Sequence, residues 1–236
     1  MLNTKLLTVL TAFAVLGTSG LSASGVRPET STKNQPKQKI FFPNRVDGLL
    51  YDQSDNDSGQ GIVAQNFESV FDAYDSEGAD DFTVPAGKIW KITEIYVDGT
   101  YFDGAGSVDS FNVTFYARKK GEIDKLVRSC PNASYHYDTQ FDLGSEYIKC
   151  KATLKKGGYF VAIRANMDFS VGGEWGWLTN NSVRSNPSLW RNPEDGFQTG
   201  CVDFQPTLTC IEAGEGGDYS FALYGKAKDV GAVDLK

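Results

Sequence analysis

The sequence predicts an all-β protein, an antiparallel β-sandwich of jelly-roll type, from three observations. Apolar residues repeat with a period of two over most of the chain, which is typical of strands with one buried face. Glycine-rich connections separate many short apolar runs. Helical spacing is confined to residues 65–74, where Phe67, Val70, Phe71 and Tyr74 share a face.

The most regular alternation lies in residues 146–154 and again in residues 159–167. Lys156, Gly157 and Gly158 separate the two runs, and paired glycines at such a point favour a reversal of the chain. We therefore expect a β-hairpin with its turn at these three residues.

A change of phase in the run that begins at Trp90 predicts a β-bulge. Trp90 and Ile92 lie on one face of an ideal strand, whereas Ile95 and Val97 fall on the other. One extra residue near Thr93 returns all four to the core. Further strands are expected at residues 49–51, 61–65, 82–84, 111–117, 126–130, 175–178 and 219–224.

The first 24 residues have the pattern of a secretory signal peptide, in which Lys5 precedes an apolar run that ends in small residues. That run is too short to cross a bilayer core of roughly 30 Å. Basic, polar residues 25–45 predict a disordered linker. Residues 46–226 are expected to form one β-sandwich domain, and residues 227–236 a flexible tail. We expect a secreted, extracellular protein with no integral membrane segment.

Net charge indicates which partners are unsuitable, and cysteine content indicates whether the chain forms disulfides or binds zinc. The formal net charge of −7 makes nucleic acid an unsuitable partner, because phosphate backbones are repelled on average. Four cysteines in an exported chain predict disulfides, and three pairings are possible. We favour Cys130 with Cys150 and Cys201 with Cys210, because nearest neighbours close short loops. Zinc is the alternative, but the cysteine spacings do not fit structural zinc sites.

The tryptophans suggest a surface for sugars. Trp175 and Trp177 are two residues apart and share a strand face, and Trp190, Glu174 and Arg191 complete the predicted ligand site. Aromatic faces stack on sugar rings while polar neighbours bind hydroxyls. Core packing is the alternative, because large aromatic residues dominate β-sandwich cores. Glu174 is also the best candidate acid for a hydrolase, although its partner carboxylate cannot be named.

Two acidic clusters suggest a structural calcium ion. Asp52, Asp55 and Asp57 supply oxygens in one segment, and Asp80 and Asp81 supply them in another. The spacing does not fit an EF-hand loop. The alternative is that these carboxylates cap turns and maintain solubility. The single histidine, His136, is interpreted as a surface residue rather than a catalytic base.

Several motifs together resemble an uncharacterised β-sandwich module of secreted bacterial proteins. They are residues 50–53, 65–68, 71–76 and 79–85, Gly87, Trp90, residues 99–102, Trp190, residues 192–193, 196–197, 199–201 and 209–211, and the strand at 219–225. The resemblance covers about residues 48 to 225. It implies export and the sandwich fold, but no activity. Such modules often accompany secreted hydrolases as accessory domains.

These observations predict a secreted, non-catalytic binding module for polysaccharide or a cell-surface glycan. The alternative is a structural or protein-interaction component of an extracellular assembly, with a surface protein as its partner. A small secreted hydrolase with an acidic pair is the third hypothesis.

Overall fold

The computed structural model describes residues 26–28, 48–137, 144–211 and 217–230. The predicted signal peptide and most of the predicted linker lie outside the described residues. Within the linker, however, Val26–Pro28 forms a strand that pairs with residues 60–62. At the other end, a strand continues to Asp229, three residues beyond the predicted domain boundary.

Fourteen strands make up most of the described chain. They are β1 Val26–Pro28, β2 Gly48–Asp52, β3 Asp57–Val63, β4 Gln65–Asn66, β5 Glu77–Val97, β6 Gly99–Phe102, β7 Ser110–Lys119, β8 Glu122–Ala133, β9 Tyr135–Tyr137, β10 Glu146–Asn166, β11 Glu174–Asn180, β12 Leu189–Arg191, β13 Gln205–Pro206 and β14 Phe221–Asp229. The described helices are a 3₁₀ turn Ser69–Tyr74, α1 Phe169–Gly172 and α2 Thr207–Cys210. The all-β prediction is confirmed.

The strands form two essentially antiparallel sheets. The smaller sheet has the order β1-β3-β11-β6. The larger has the order β13-β12-β5-β10-β7-β8, with β14 beside β5, β2 beside β14, and β9 and β4 beside β10. The pairing of β4 with β10 is parallel. This strand order does not establish the jelly-roll connection, which stays a prediction.

The predicted hairpin at residues 156–158 is wrong. The strand β10 runs without reversal from Glu146 to Asn166, antiparallel to the equally long β5. Gly157 adopts a φ of 149°, a backbone conformation that glycine tolerates within a continuous strand. The extra residues lie instead in β5, between Val84 and Ile89, which pair with Gly157 and Lys155. Local glycine content indicated a turn, but pairing with β5 through Gly157 and Gly158, joined by β7 from Tyr159 onward, keeps the strand extended.

The predicted bulge near Thr93 is confirmed. Tyr224 and Gly225 of β14 are consecutive, yet they pair with Glu94 and Ile92 of β5, which leaves Thr93 as the extra residue. The bulge changes which face each later residue occupies. Trp90 and Ile92 before the bulge thereby point into the same core as Ile95 and Val97 after it.

The core lies between the two sheets. Phe111 of the larger sheet meets Trp175 of the smaller one, with ring centroids 5.1 Å apart, and Phe221 meets Trp177 at 6.0 Å. Tyr219 stacks on Trp177 at 4.4 Å. Each fully buried aromatic side chain of this size contributes about 1.5–3 kcal/mol or more through the hydrophobic effect. The inner faces of the sheets are therefore occupied by their own aromatic residues.

Both predicted disulfides are confirmed. Cys130 of β8 joins Cys150 of β10, with Cα atoms 5.8 Å apart. Cys201 joins Cys210 of α2, with Cα atoms 5.7 Å apart. The first bond ties an edge strand to the centre of the larger sheet, and the second closes the segment that follows β12.

Candidate functional site

The three tryptophans predicted to stack on a sugar lie in the core. Trp175, Trp177 and Trp190 are each 0% exposed. Every indole N–H donates a hydrogen bond of 2.8–2.9 Å to a backbone carbonyl, those of Gly144, Ser220 and Val63 respectively. These rings cannot stack on a sugar, because the space between the sheets already encloses them. Core packing, the alternative interpretation, describes all three.

Glu174 and Arg191 do not complete an open site either. Glu174 is buried and lies opposite Phe102 in the pairing of β11 with β6. Arg191 Nη2 is 2.5 Å from Glu77 Oε2, and its guanidinium lies 4.3 Å above the centroid of the Phe204 ring. The predicted ligand site is thus divided between the core and a separate ion pair.

The first acidic cluster is engaged with its own segment. Asp52 Oδ1 accepts hydrogen bonds from the backbone nitrogen and the hydroxyl of Ser54, at 2.9 and 2.7 Å. Asp57 Oδ1 accepts one from the backbone nitrogen of Gly59 at 3.1 Å, and Asp55 pairs with Arg184. These are turn contacts of the kind given as the alternative to calcium.

The second acidic cluster is buried. Asp80 Oδ2 accepts hydrogen bonds from Gln53 Nε2 at 2.8 Å and from the backbone nitrogen of Tyr219 at 2.5 Å. Asp81 pairs with Arg118. Across the described ranges, no group of three or more His, Cys, Asp or Glu side chains is placed to hold a metal ion. The structure therefore does not bring the five predicted carboxylates together as one metal site.

Asp80 and Asp218 form a buried acidic pair. Burial, together with the charge of Asp218, holds the pKa of Asp80 well above its usual value. Burial raises the pKa of Asp218 to about 6. Asp218 Oδ1 and Asn180 Oδ1 are buried oxygens without a hydrogen-bond partner. Because both carboxyl groups are inaccessible, the pair acts on stability and does not offer a cleft to a substrate.

Glu146 is a second buried acid, at the first position of β10. It is 2% exposed, and its Oε2 has no hydrogen-bond partner. Burial raises the pKa of this carboxyl to about 8. The side chain shares the inward face with Ile148 and Cys150, so a titratable group lies inside the sandwich.

The accessible candidate site is the surface of β5, β10 and β14 that faces away from the core. We call the side of residues 88–97, 146–155 and 221–229 that is turned away from the smaller sheet the outer face. Directly opposite residues in neighbouring strands share a face. Tyr147 is opposite Tyr96 on one side and His136 on the other.

Four rings form an aromatic row on the outer face: Tyr96, Tyr147, His136 and Tyr224. Tyr147 is central and buried by its neighbours, with centroid distances of 4.8 Å to Tyr96, 5.2 Å to His136 and 6.2 Å to Tyr224. The His136 ring lies at 18° to the Tyr147 ring, and its Nδ1 is 4.0 Å from Glu94 Oε1. Exposed Leu49 lies opposite Tyr224 and extends the row.

Sequence reasoning missed this row because it assigned the tryptophans to the surface and left the tyrosines unplaced. The bulge at Thr93 was the signal that could have located them. Once Ile95 and Val97 point inward, Tyr96 must point outward, and strand pairing then brings Tyr147 and Tyr224 beside it.

Comparison with protein-family models, with curated proteins and with solved structures finds no match to this chain. The resemblance of the motifs to a secreted bacterial module therefore stays a prediction. None of the helices among the described residues has the length and apolar character needed to cross a membrane.

Proposed function

We propose that this chain is a secreted, non-catalytic binding module whose ligand is a polysaccharide or a cell-surface glycan. The ligand contacts the outer face rather than the buried tryptophans. The observation that carries the proposal is the aromatic row, which lies on a continuous sheet beside charged side chains. Export is supported by the predicted signal peptide and by the two disulfides, which persist in oxidising compartments.

The aromatic row suits a binding function because the sheet holds it rigidly. Tyr96 lies on β5, which is paired on both sides, by β10 and by β14. The ring contacts among Tyr147, His136 and Tyr96 then restrict rotation of each side chain. A ligand that binds such a surface loses less free energy to the ordering of side chains.

The polar groups beside the row support the proposal, because they can exchange hydrogen bonds with sugar hydroxyls. His136 has an exposed ring, and Glu94 offers carboxylate oxygens beside it. Tyr224 is half-buried, so part of its ring faces the solvent between Leu49 and Glu94. Apolar ring surface and hydroxyl-binding groups therefore alternate across the strands.

Retention of the secreted chain on a panel of insoluble polysaccharides tests this proposal. The variant His136→Ala/Tyr224→Ala removes accessible rings from the row and is expected to lose at least about 1 kcal/mol of binding, or roughly fivefold in affinity. Tyr116→Ala is the matched control, because Tyr116 is a half-buried tyrosine that contacts Phe204 elsewhere on the larger sheet.

Retention that is lost in the double variant and kept in Tyr116→Ala supports the proposal. Equal retention of all three proteins would indicate that the glycan binds elsewhere than at the aromatic row. No retention on any polysaccharide would refute glycan binding as the function.

A separate observation favours the second candidate function, a protein-interaction component. Val70 and Val171 are 77% and 81% exposed and lie on neighbouring short helices. Glu68 fixes this arrangement, because its carboxylate accepts hydrogen bonds from the backbone nitrogens of Phe169 and Ser170 at 2.6 and 3.0 Å. Exposed valines on two helices that contact each other through Phe71 and Phe169 offer apolar surface of the kind that protein partners bury.

Sedimentation of Val70→Ser/Val171→Ser against the unchanged chain tests this second candidate. A concentration-dependent assembly that dissociates in the variant supports a structural role. Val183→Ser is the control, since Val183 is exposed at a different site. A unit that stays monomeric at all concentrations, with or without the substitutions, argues against assembly through this point.

A further inference from the structure

The outer face carries an excess of lysine that contrasts with the acidic balance of the whole chain. Its three strand segments contain seven lysines and three carboxylates, in a protein of formal net charge −7. Six of these lysines lie on the outer face, namely Lys91 on β5, Lys149, Lys151 and Lys155 on β10, and Lys226 and Lys228 on β14, whereas Lys88 is in phase with the inward Trp90. Positive charge is therefore concentrated on one surface of an otherwise acidic molecule.

Strand register places these lysines next to one another. Lys91 lies directly opposite Lys226 on one side and Thr153 on the other. One pair further along, Ile89 lies between Lys228 and Lys155. Neighbouring strands are about 4.8 Å apart, which is less than the Debye length of about 8 Å at physiological salt. The fields of the lysines consequently add.

Among the three carboxylates of these strand segments, Glu94 alone shares the outer face with the lysines. Of the three on these segments, Glu146 faces the interior, Glu94 lies at the aromatic row within 4.0 Å of His136, and Asp229 pairs with Lys88 at 2.5 Å.

The lysines adjoin the aromatic row without a gap. Lys149 lies opposite Glu94, which lies opposite Tyr224. The aromatic row and the lysines therefore lie next to each other on the same three strands. Lysine ammonium groups are point charges with flexible stems, which suits anionic groups spaced along a polymer better than a single planar anion.

We propose that the lysines of the outer face bind an acidic polysaccharide, a linear glycan that carries carboxylate or sulfate groups, while the aromatic row contacts its sugar rings. This inference rests on the proposed function, because it specifies the class of glycan bound. The net negative charge of the remaining chain disfavours a broad polyanion such as duplex DNA, which would extend beyond the outer face.

Four soluble probes test the inference by affinity electrophoresis or calorimetry: polygalacturonate for carboxylates, dextran sulfate for sulfates, uncharged dextran, and duplex DNA as a polyanion that is not a glycan. The variant Lys91→Gln/Lys155→Gln removes two charges from adjacent strands. Its matched control, Lys119→Gln/Lys125→Gln, makes the same change in net charge at exposed positions of β7 and β8. Thermal unfolding of both variants verifies that they fold.

We expect one acidic probe, or both, to bind, and the outer-face variant to bind it roughly fivefold to tenfold more weakly at about 0.15 M salt. The log–log dependence of affinity on salt should also become shallower by about one to two in slope. The Lys119→Gln/Lys125→Gln control should retain the affinity of the unchanged chain.

Four results would overturn the inference. Equal weakening in both variants would indicate general charge attraction. Binding of duplex DNA as tightly as polygalacturonate would indicate an unselective polyanion surface. Binding of uncharged dextran or of neutral insoluble polysaccharides, with no preference for acidic probes, would leave the proposed glycan function intact and refute only the acidic specificity. Failure of every glycan, neutral or acidic, would refute the proposed function together with the inference.

Discussion

Replacement of Glu146 by glutamine should change how the stability of the protein depends on pH. The carboxyl is 2% exposed, and burial raises its pKa from 4.5 to about 8. Between these values the folded protein holds a proton that the unfolded chain releases. The free energy of unfolding therefore falls as pH rises through this window, and the contribution is fully present only below the lower value.

The magnitude follows from the shift. One pKa unit corresponds to about 1.4 kcal/mol, so the shift sets an upper bound of about 5 kcal/mol on the decline between the unfolded and folded pKa values of Glu146. Glutamine has nearly the same shape and does not ionise. The variant should lose this decline and exceed the unchanged chain in stability in alkaline buffer.

Urea unfolding followed by tryptophan fluorescence, at pH values from about 5 to 9, measures the effect. Glu122→Gln is the control, because Glu122 is exposed on β8. Asp218, whose pKa burial raises to about 6, contributes a decline of the same sign that persists in every variant. Parallel pH profiles for Glu146→Gln and the unchanged chain would refute the assignment of Glu146 as a buried, protonated acid.

Three further predictions concern the fold. Replacing Cys201 and Cys210 by serine should lower the free energy of unfolding by about 2.5 kcal/mol, as the chain-entropy relation gives for a bond that spans 9 residues; unchanged chemical denaturation would contradict this. Gly225→Ala should destabilise the protein by roughly 1–3 kcal/mol, because the new Cβ would lie 2.0 Å from the Lys91 carbonyl oxygen, whereas Gly48→Ala should have little effect since its closest contact is 3.9 Å. Trp177→Ala should destabilise it by about 3–5 kcal/mol, and a thermal midpoint close to that of the unchanged chain would argue against its core position.

Local sequence pattern predicted the features that depend on alternation. The fold class, the bulge at Thr93 and both disulfides followed from phase and spacing, and the structure confirms them. The turn at Gly157 failed, because the state of that segment is decided by distant partners in β5 and β7. Sequence shows which residues alternate, but not which strands lie on either side.

The candidate site was predictable only in its residue types. Aromatic residues indicated a binding surface. Trp175 is buried, however, whereas Tyr224 is partly exposed, and no local signal distinguishes an inward ring from an outward one. The cluster of lysines on the outer face could not be predicted from the sequence either. Lys91, Lys155 and Lys226 are far apart in sequence, and the sheet alone makes them neighbours.

The long strand β5 has a consequence for the time course of folding. Its partners β10 and β14 lie far later in the sequence, and β14 is the last described strand. Contacts of such wide separation form slowly, because the intervening chain must be closed into loops first. An emerging chain thus presents β5 with one side of its first-formed pairing open until β14 is available. Conditions that prolong this interval should favour aggregation through β5 before they affect the folded protein.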